Sequence, residues 1–152
     1  MGISNYLTGS RIRCHAIIVC DQTKAYFYDH IDQTRVDMGL ADSVKAVEIV
    51  DMIEGYQGKG YNISTKEERD FVASVAETTG IMLDPIYTGK AALGMLQELH
   101  DNPHRFKGNR ILFLHTGGLF GMYNGQLNTT IADREQKNII NMWTSTESTC
   151  TD

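Results

Sequence analysis

The fold of this chain is decided by the stretch RCHAIIVC, residues 13–20. Its centre, residues 16–19, is a continuous apolar run of the kind found in strands that are buried on both faces of a parallel sheet. Apolar segments at 46–53, 81–83 and 111–114 are further strand candidates. Because helical segments separate them, the pattern predicts an α/β fold, with a mainly parallel sheet and flanking helices.

Three helices are predicted between these strands. The first spans about 24–38 and stops at Gly39, and the third spans about 89–100. The second opens at Ser64, whose side chain is expected to form a capping box with Glu67, and it ends at Gly80. The apolar faces predicted for the three helices are Phe27, Ile31 and Met38; Phe71, Val72, Val75 and Ala76; and Leu93, Leu96 and Leu99.

Composition excludes several classes of protein. The chain has 152 residues, 41% of them hydrophobic and 22% charged, which is typical of one globular domain. A net charge of -5 and scattered basic residues argue against a nucleic-acid partner. No apolar run is long enough for a membrane span, so a membrane partner is not expected.

The metal-ligating and thiol residues indicate neither a metal site nor a disulfide framework. Cys14, Cys20 and Cys150 are odd in number and form no C-x-x-C pair, which suits a reducing, intracellular compartment, cytoplasmic or mitochondrial. His100 and His104 have a spacing that could share a metal, but Pro103 interrupts the helix between them. We expect exposed turn residues there and no metal.

Polar or glycine-rich clusters follow three of the strand candidates, at 55–61, 84–90 and 115–118. In parallel sheets ligands bind at the carboxyl ends of the strands, so these clusters are the candidate site. They are neither a Walker A loop, which would need glycine where Asp84 stands, nor a G-x-G-x-x-G loop. No G-x-S-x-G elbow is present, which argues against a serine hydrolase.

Taken together, the clusters resemble in order and spacing a known family, the D-cysteine desulfhydrases and 1-aminocyclopropane-1-carboxylate deaminases. The matching motifs are Gly58-Lys59-Gly60-Tyr61, Leu83-Asp84-Pro85-Ile86-Tyr87-Thr88-Gly89-Lys90-Ala91 and Leu114-His115-Thr116-Gly117-Gly118-Leu119-Phe120-Gly121. The resemblance covers about 2–125. It implies that 1–128 form the C-terminal part of a pyridoxal-phosphate enzyme with a partial tryptophan-synthase-β-like fold (fold-type II), and that 129–152 form a polar, disordered tail.

The resemblance also implies roles for individual residues. Tyr61 and Tyr87 match two catalytic tyrosines that face the substrate and take part in proton transfer. Thr88 and Thr116 match positions beside the pyridine ring of the cofactor. Gly117 and Gly118 would let the backbone approach that ring, whereas His115 is expected to be structural.

Branch specificity is carried by the two threonines. The deaminase branch typically has glutamate and leucine at the positions of Thr88 and Thr116, so threonine at both favours the lyase that converts D-cysteine to pyruvate, hydrogen sulfide and ammonia. The 1-aminocyclopropane-1-carboxylate deaminase reaction is the alternative. A small amino acid would be the substrate, and the complete enzyme of this family would be a homodimer.

The lysine that binds the cofactor in this family lies upstream of the matching region, and so does the phosphate loop. None of the lysines of this chain matches it, and Lys90 is expected to be a structural or surface residue. We therefore expect a C-terminal portion that is inactive alone. The alternative is a catalytically dead, truncated paralogue that serves as an interaction module.

Overall fold

The computed structural model describes residues 1–40 and 43–135. Its helices are α1 (Gly2–Leu7), α2 (Lys24–Asp37), α3 (Ala46–Ile49), α4 (Lys66–Thr79), α5 (Thr88–Asp101) and α6 (Asn128–Glu135), its strands are β1 (Cys14–Ile17) and β2 (Val50–Ile53), and 3-10 turns span Pro103–Arg105 and Leu119–Asn124. The chain is thus a mixed α/β structure, as predicted.

The two strands pair in parallel, with Cys14 opposite Val50 and Ile17 opposite Ile53. Strand β1 is only half-buried, not buried on both faces as predicted, because the sheet has two strands in the part of the chain described. The first half of the predicted strand 46–53 is wrong as well, since it forms α3. There the carboxylate of Glu48 accepts a hydrogen bond from the Lys45 amide at 3.1 Å, and this local capping starts a short helix.

The apolar segments 81–83 and 111–114 are not strands, in contrast to the prediction. Phe113 packs against a core of Val72, Leu83, Ala92 and Leu127, whereas Leu112 is 77% exposed. Neither segment pairs with a strand among residues 1–40 and 43–135. The apolar composition of these two segments therefore predicted strands, but within the described residues neither segment forms the ladder of hydrogen bonds that a strand requires.

A second core joins the sheet to helix α2. It contains Ile18, Val50 and Met52, and the predicted face residues Phe27 and Ile31 pack against it. Met38, predicted to share that face, is 55% exposed because α2 ends at the preceding residue.

Helix α2 buries a charge near its end in place of a further apolar residue. The guanidinium of Arg35 is 1% exposed and donates to Asp32 Oδ1 at 2.7 and 2.9 Å and to the Leu40 carbonyl at 2.7 Å. The same carboxylate oxygen accepts from the Ala46 amide at 2.9 Å. Burial raises the pKa of Asp32, but these hydrogen bonds and the charge of Arg35 outweigh it and lower that pKa. The pair thus fixes the start of α3 against α2.

The capping box of α4 lies one residue later than predicted. Thr65 Oγ1 accepts from the Glu68 amide at 3.1 Å, and Glu68 Oε2 accepts from the Thr65 amide at 2.7 Å. Ser64 instead donates its amide and hydroxyl to Gln126 Oε1, at 2.7 and 2.6 Å. A contact with a residue distant in sequence therefore decides which of two adjacent hydroxyls caps the helix. The predicted stop at Gly80 is confirmed, with φ of 72°.

Helix α5 buries polar groups and small residues on its inner side, so the prediction that Leu96 faces inward is wrong. Leu96 is 48% exposed, while Glu98 is 6% exposed. Glu98 accepts from the Tyr56 hydroxyl at 2.8 Å and from Arg105 Nε at 2.9 Å. Burial, followed by the hydrogen bond to Glu98, raises the pKa of Tyr56 to about 12.

Helix α6 begins in the region predicted as a polar tail. Residues 128–135 are helical, so the predicted disorder does not hold there, and 136–152 lie outside the described residues. Within the described residues no helix is long and apolar enough to cross a membrane.

The position of the capping box can be tested with two threonines of the same helix. Thr65→Ala should lower the free energy of unfolding by about 1 kcal/mol, because it removes the side-chain oxygen that caps the Glu68 amide. Thr78→Ala, at an exposed position of α4, should change it by less than about 0.5 kcal/mol. Urea unfolding followed by circular dichroism measures both, and equal effects would contradict the assignment.

Candidate active site

The two tyrosines selected from the sequence lie in contact. The hydroxyl of Tyr61 is hydrogen-bonded to the hydroxyl of Tyr87, and their ring centroids are 5.9 Å apart with the planes inclined by 57°. The side chains are 52% and 41% exposed, so the pair opens onto solvent. Two clusters that are separated in sequence therefore meet at one surface.

The position of Tyr87 is set by a buried carboxylate at the start of α5. Asp84 is 0% exposed. Its Oδ1 accepts from the amides of Ile86 and Tyr87 at 2.8 and 2.7 Å, and its Oδ2 accepts from the amide and hydroxyl of Thr88 at 2.8 and 2.6 Å. A negative charge at this end of a helix is favourable because the free amides and the helix dipole point toward it. Asp84 therefore folds the turn that presents Tyr87.

Thr88 belongs to this turn more than to the open surface. Its side chain is buried, and its hydroxyl both donates to Asp84 Oδ2 at 2.6 Å and accepts from the Asp84 amide at 2.9 Å. The expectation that this hydroxyl faces the cofactor does not match these partners. A position of Thr88 beside the cofactor stays a prediction, and its hydroxyl is bonded within the turn.

Gly117 and Gly118 bring the third cluster against the same carboxylate. Both have positive φ, 109° and 92°, which side chains rarely adopt. A Cβ atom on Gly118 would lie 2.4 Å from Asp84 Oδ2, so only glycine permits this approach. Thr116, one residue before the turn, is exposed, and its role beside the cofactor stays a prediction.

His115 holds this turn in place. The Gly117 amide donates to His115 Nδ1 at 3.2 Å, so Nε2 carries the proton and donates to the Met82 carbonyl at 2.8 Å. This bonding fits the structural role expected for His115.

The loop that carries Tyr61 is anchored by two residues to which the sequence analysis gave no part in the site. Asp21 Oδ2 accepts from the Tyr61 amide at 3.3 Å. The ammonium of Lys90, 2% exposed, donates to the carbonyls of Gln57, Gly60 and Ile63 at 2.7, 2.9 and 2.9 Å. Asp21 follows β1 at its carboxyl end, and that position was the signal that could have identified it.

The electrostatics of the pair favour the protonated form of Tyr87. The hydrogen bond to Tyr61 raises the pKa of Tyr87, and burial and the charge interactions with Tyr61, Asp84 and Cys20 add to that effect. At neutral pH the Tyr87 phenol therefore keeps the proton that its hydroxyl can donate. No group of three metal-ligating side chains occurs within 1–40 and 43–135.

An apolar cavity of about 460 Å³ lies elsewhere, between α4, α6 and the segment around Met82. Val72, Leu127 and Ile131 are among its lining residues, and none of the predicted site residues is. The candidate chemistry therefore belongs to the open surface at the tyrosines.

Comparison of the sequence with known proteins identifies the family of this chain. Over 124 residues, 82% of this chain, the sequence is 43% identical to the "Bifunctional D-cysteine desulfhydrase/1-aminocyclopropane-1-carboxylate deaminase, mitochondrial" of Arabidopsis thaliana. The chain belongs to the D-cysteine desulfhydrase and 1-aminocyclopropane-1-carboxylate deaminase family. It spans 30% of the length of that relative. The recognition made from the three motifs is thereby confirmed.

Two prokaryotic relatives support the same family. A "Putative 1-aminocyclopropane-1-carboxylate deaminase" of Thermotoga maritima is 36% identical over 49% of this chain, and one of Pyrococcus abyssi is 33% identical over 62%. The chain spans 22% and 26% of these proteins. No model of a protein family matches the chain.

The coupling of the two tyrosines can be measured directly. Tyr61→Phe removes the hydrogen bond that raises the pKa of Tyr87, so that pKa should fall toward the ordinary value of about 10. Carbon NMR of Cζ-labelled tyrosine follows this titration, with the Tyr87 signal assigned by its loss in Tyr87→Phe. Tyr123→Phe, at an 83% exposed position, is the control and should leave it unchanged.

The same shift gives stability a definite pH dependence. The pKa of Tyr87 is higher in the folded chain than in the unfolded one. The stability that Tyr87 contributes is therefore fully present below about pH 10, and it is lost as the pH rises through the pKa of the folded chain. That loss should be smaller in Tyr61→Phe. An identical alkaline loss of stability in both chains would contradict the coupling.

Proposed function

We propose that this chain forms one wall of the active site of a pyridoxal-phosphate lyase that converts D-cysteine to pyruvate, hydrogen sulfide and ammonia. The observation that carries the proposal is the contact of the Tyr61 and Tyr87 hydroxyls on an open surface. The turn at Gly118 packs against Asp84, the same carboxylate that binds the Tyr87 amide. The family membership supports the reaction class. The complete enzyme is proposed to be a homodimer with a tryptophan-synthase-β-like fold.

The residues present suit one side of a pyridine ring. The backbone of Gly117 and Gly118 has no side chains to obstruct a flat ring, and the exposed hydroxyl of Thr116 can donate to a ring nitrogen. When bound, pyridoxal phosphate withdraws electrons from the Cα atom of the attached amino acid. Lys90 cannot hold it, because its ammonium is buried and donates to three carbonyls.

Tyr61 and Tyr87 are proposed to bind the substrate and move its protons. Since its raised pKa keeps the Tyr87 phenol protonated at neutral pH, Tyr87 can donate a proton to the sulfur atom that leaves Cβ of D-cysteine. The hydrogen bond between them lets the second phenol stabilise the charge that develops on the first. The pair therefore supplies acid catalysis and orientation.

Thr116 favours this proposal over the second candidate, 1-aminocyclopropane-1-carboxylate deamination. The names of the two prokaryotic relatives give that activity alone, and the name of the Arabidopsis relative gives both activities. Threonine at 116 would place a neutral hydroxyl beside the ring nitrogen, which gives a weaker electron sink than a carboxylate paired with that nitrogen. Elimination of a good leaving group such as thiolate needs less of that sink than opening a cyclopropane ring.

The test uses a chimera in which this chain replaces the 124 matched residues of the Arabidopsis relative. The chimera should release sulfide and pyruvate from D-cysteine faster than it releases 2-oxobutanoate from 1-aminocyclopropane-1-carboxylate. Tyr87→Phe in the chimera should lower kcat by about 10²–10⁴-fold, because it removes an acid-base group. Tyr123→Phe serves as the matched control and should keep full turnover.

Thr116→Leu in the chimera tests the choice between substrates. It removes the exposed hydroxyl, so the rate with D-cysteine should fall relative to the rate with the cyclopropane substrate. A chimera that prefers the cyclopropane substrate, or one whose Tyr87→Phe variant keeps its turnover, would refute the proposed function. An inactive chimera that still binds the cofactor, measured by its absorption band, would favour the catalytically dead module.

A further inference from the structure

Lys90 is a buried cation that the proposed chemistry does not use. It lies in the first turn of α5 and is 2% exposed. An ammonium group has three N–H donors, and here the carbonyl oxygens of Gln57, Gly60 and Ile63 accept at 2.7, 2.9 and 2.9 Å. Burial of a charge is costly unless it is fully hydrogen-bonded, and this one is.

The segment bound by Lys90 has little structure of its own. Residues 54–65 contain neither helix nor strand. Two long hydrogen bonds form turns within it, from the Gly60 amide to the Gln57 carbonyl at 3.2 Å and from the Ile63 amide to the Gly60 carbonyl at 3.3 Å. Both acceptor carbonyls also accept from Lys90. The ammonium thus binds the acceptor carbonyl of each of two successive turns.

Tyr61 lies between two of these three anchors, and Tyr87 lies three residues before Lys90, at the start of the same helix. One side chain therefore joins the loop of the first tyrosine to the helix that presents the second. We propose that Lys90 is a positioning residue that sets the contact between the Tyr61 and Tyr87 hydroxyls. Its importance for catalysis rests on the proposed function, whereas the contact itself does not.

Asp21 also anchors the loop that carries Tyr61, through one longer hydrogen bond. It accepts from the Tyr61 amide at 3.3 Å and is exposed, so water competes for the same amide. The three shorter bonds of Lys90 are protected from water and carry a full charge. The structure therefore assigns the larger part of the positioning to Lys90.

The experiment replaces the ammonium in two ways and reads the tyrosine contact. Lys90→Met keeps the length of the side chain and removes its donors, and Lys90→Arg keeps the charge in a planar fork that cannot converge on three carbonyls. Lys59→Met is the matched control, an exposed lysine in the same loop. In both Lys90 variants the pKa of Tyr87, read from its Cζ signal, should move toward about 10, as in Tyr61→Phe, and it should be unchanged in the control.

A double variant separates positioning from a general effect on the fold. If Lys90 acts through Tyr61, Lys90→Met should not move the Tyr87 titration further in a Tyr61→Phe background. A folded Lys90 variant with the unaltered Tyr87 titration would overturn the proposal, and so would a shift of the same size in that background. Circular dichroism of each variant reports whether the fold is kept.

A measurement on the unaltered chain covers the case in which neither variant folds. With ¹⁵N-labelled lysine, the ammonium protons of Lys90 should exchange with water more slowly than those of Lys59, because all three are hydrogen-bonded and buried. Equal exchange would refute the proposal. Failure of the proposed function would instead leave these signals intact and remove only the turnover of the chimera.

Discussion

The carboxylate of Asp84 has no exposed surface, and its two oxygens accept four hydrogen bonds from the next residues of the chain. A buried carboxylate is tolerated only where donors replace water, and the start of α5 supplies them. The same oxygens exclude any side chain at Gly118, so the turn at 117–118 can lie against them. The start of the helix, the direction of Tyr87 and the approach of the third cluster therefore depend on one ionised group.

Lys90 continues this arrangement in the first turn of α5. Asp84 and Lys90 are opposite charges that are both buried, yet backbone groups bind each of them. The carboxylate binds the chain just before the helix, and the ammonium binds a loop that is distant in sequence. With the proposed role of Lys90, the geometry of the tyrosine pair depends on the start of α5, although the pair itself is open to solvent.

Helix α2 and the stop of α4 at Gly80 were predicted from local patterns. The parallel pairing was predicted from the alternation of strands and helices, and the motifs of a family selected the two tyrosines. Apart from the local capping that starts α3, the contacts that the sequence analysis missed join residues far apart along the chain. The carbonyls bound by Lys90 lie 27 to 33 residues before it, and Ser64 is held by Gln126, 62 residues later. Such contacts leave no periodic trace in the sequence. The apolar run at 111–114 shows the converse, a strand pattern without a partner strand among the residues that the structure describes.

The different surroundings of Thr88 and Thr116 bear on how specificity should be dissected. Thr88 is buried and shares three hydrogen bonds with Asp84, whereas Thr116 is exposed. A glutamate at 88 would bring a second negative charge to a carboxylate that is already fully bonded, so the turn would have to rearrange before the new group could reach a ligand. A change at 116 meets no such constraint. A substitution at 116 therefore tests the reaction alone, whereas a substitution at 88 also disturbs the turn that positions Tyr87.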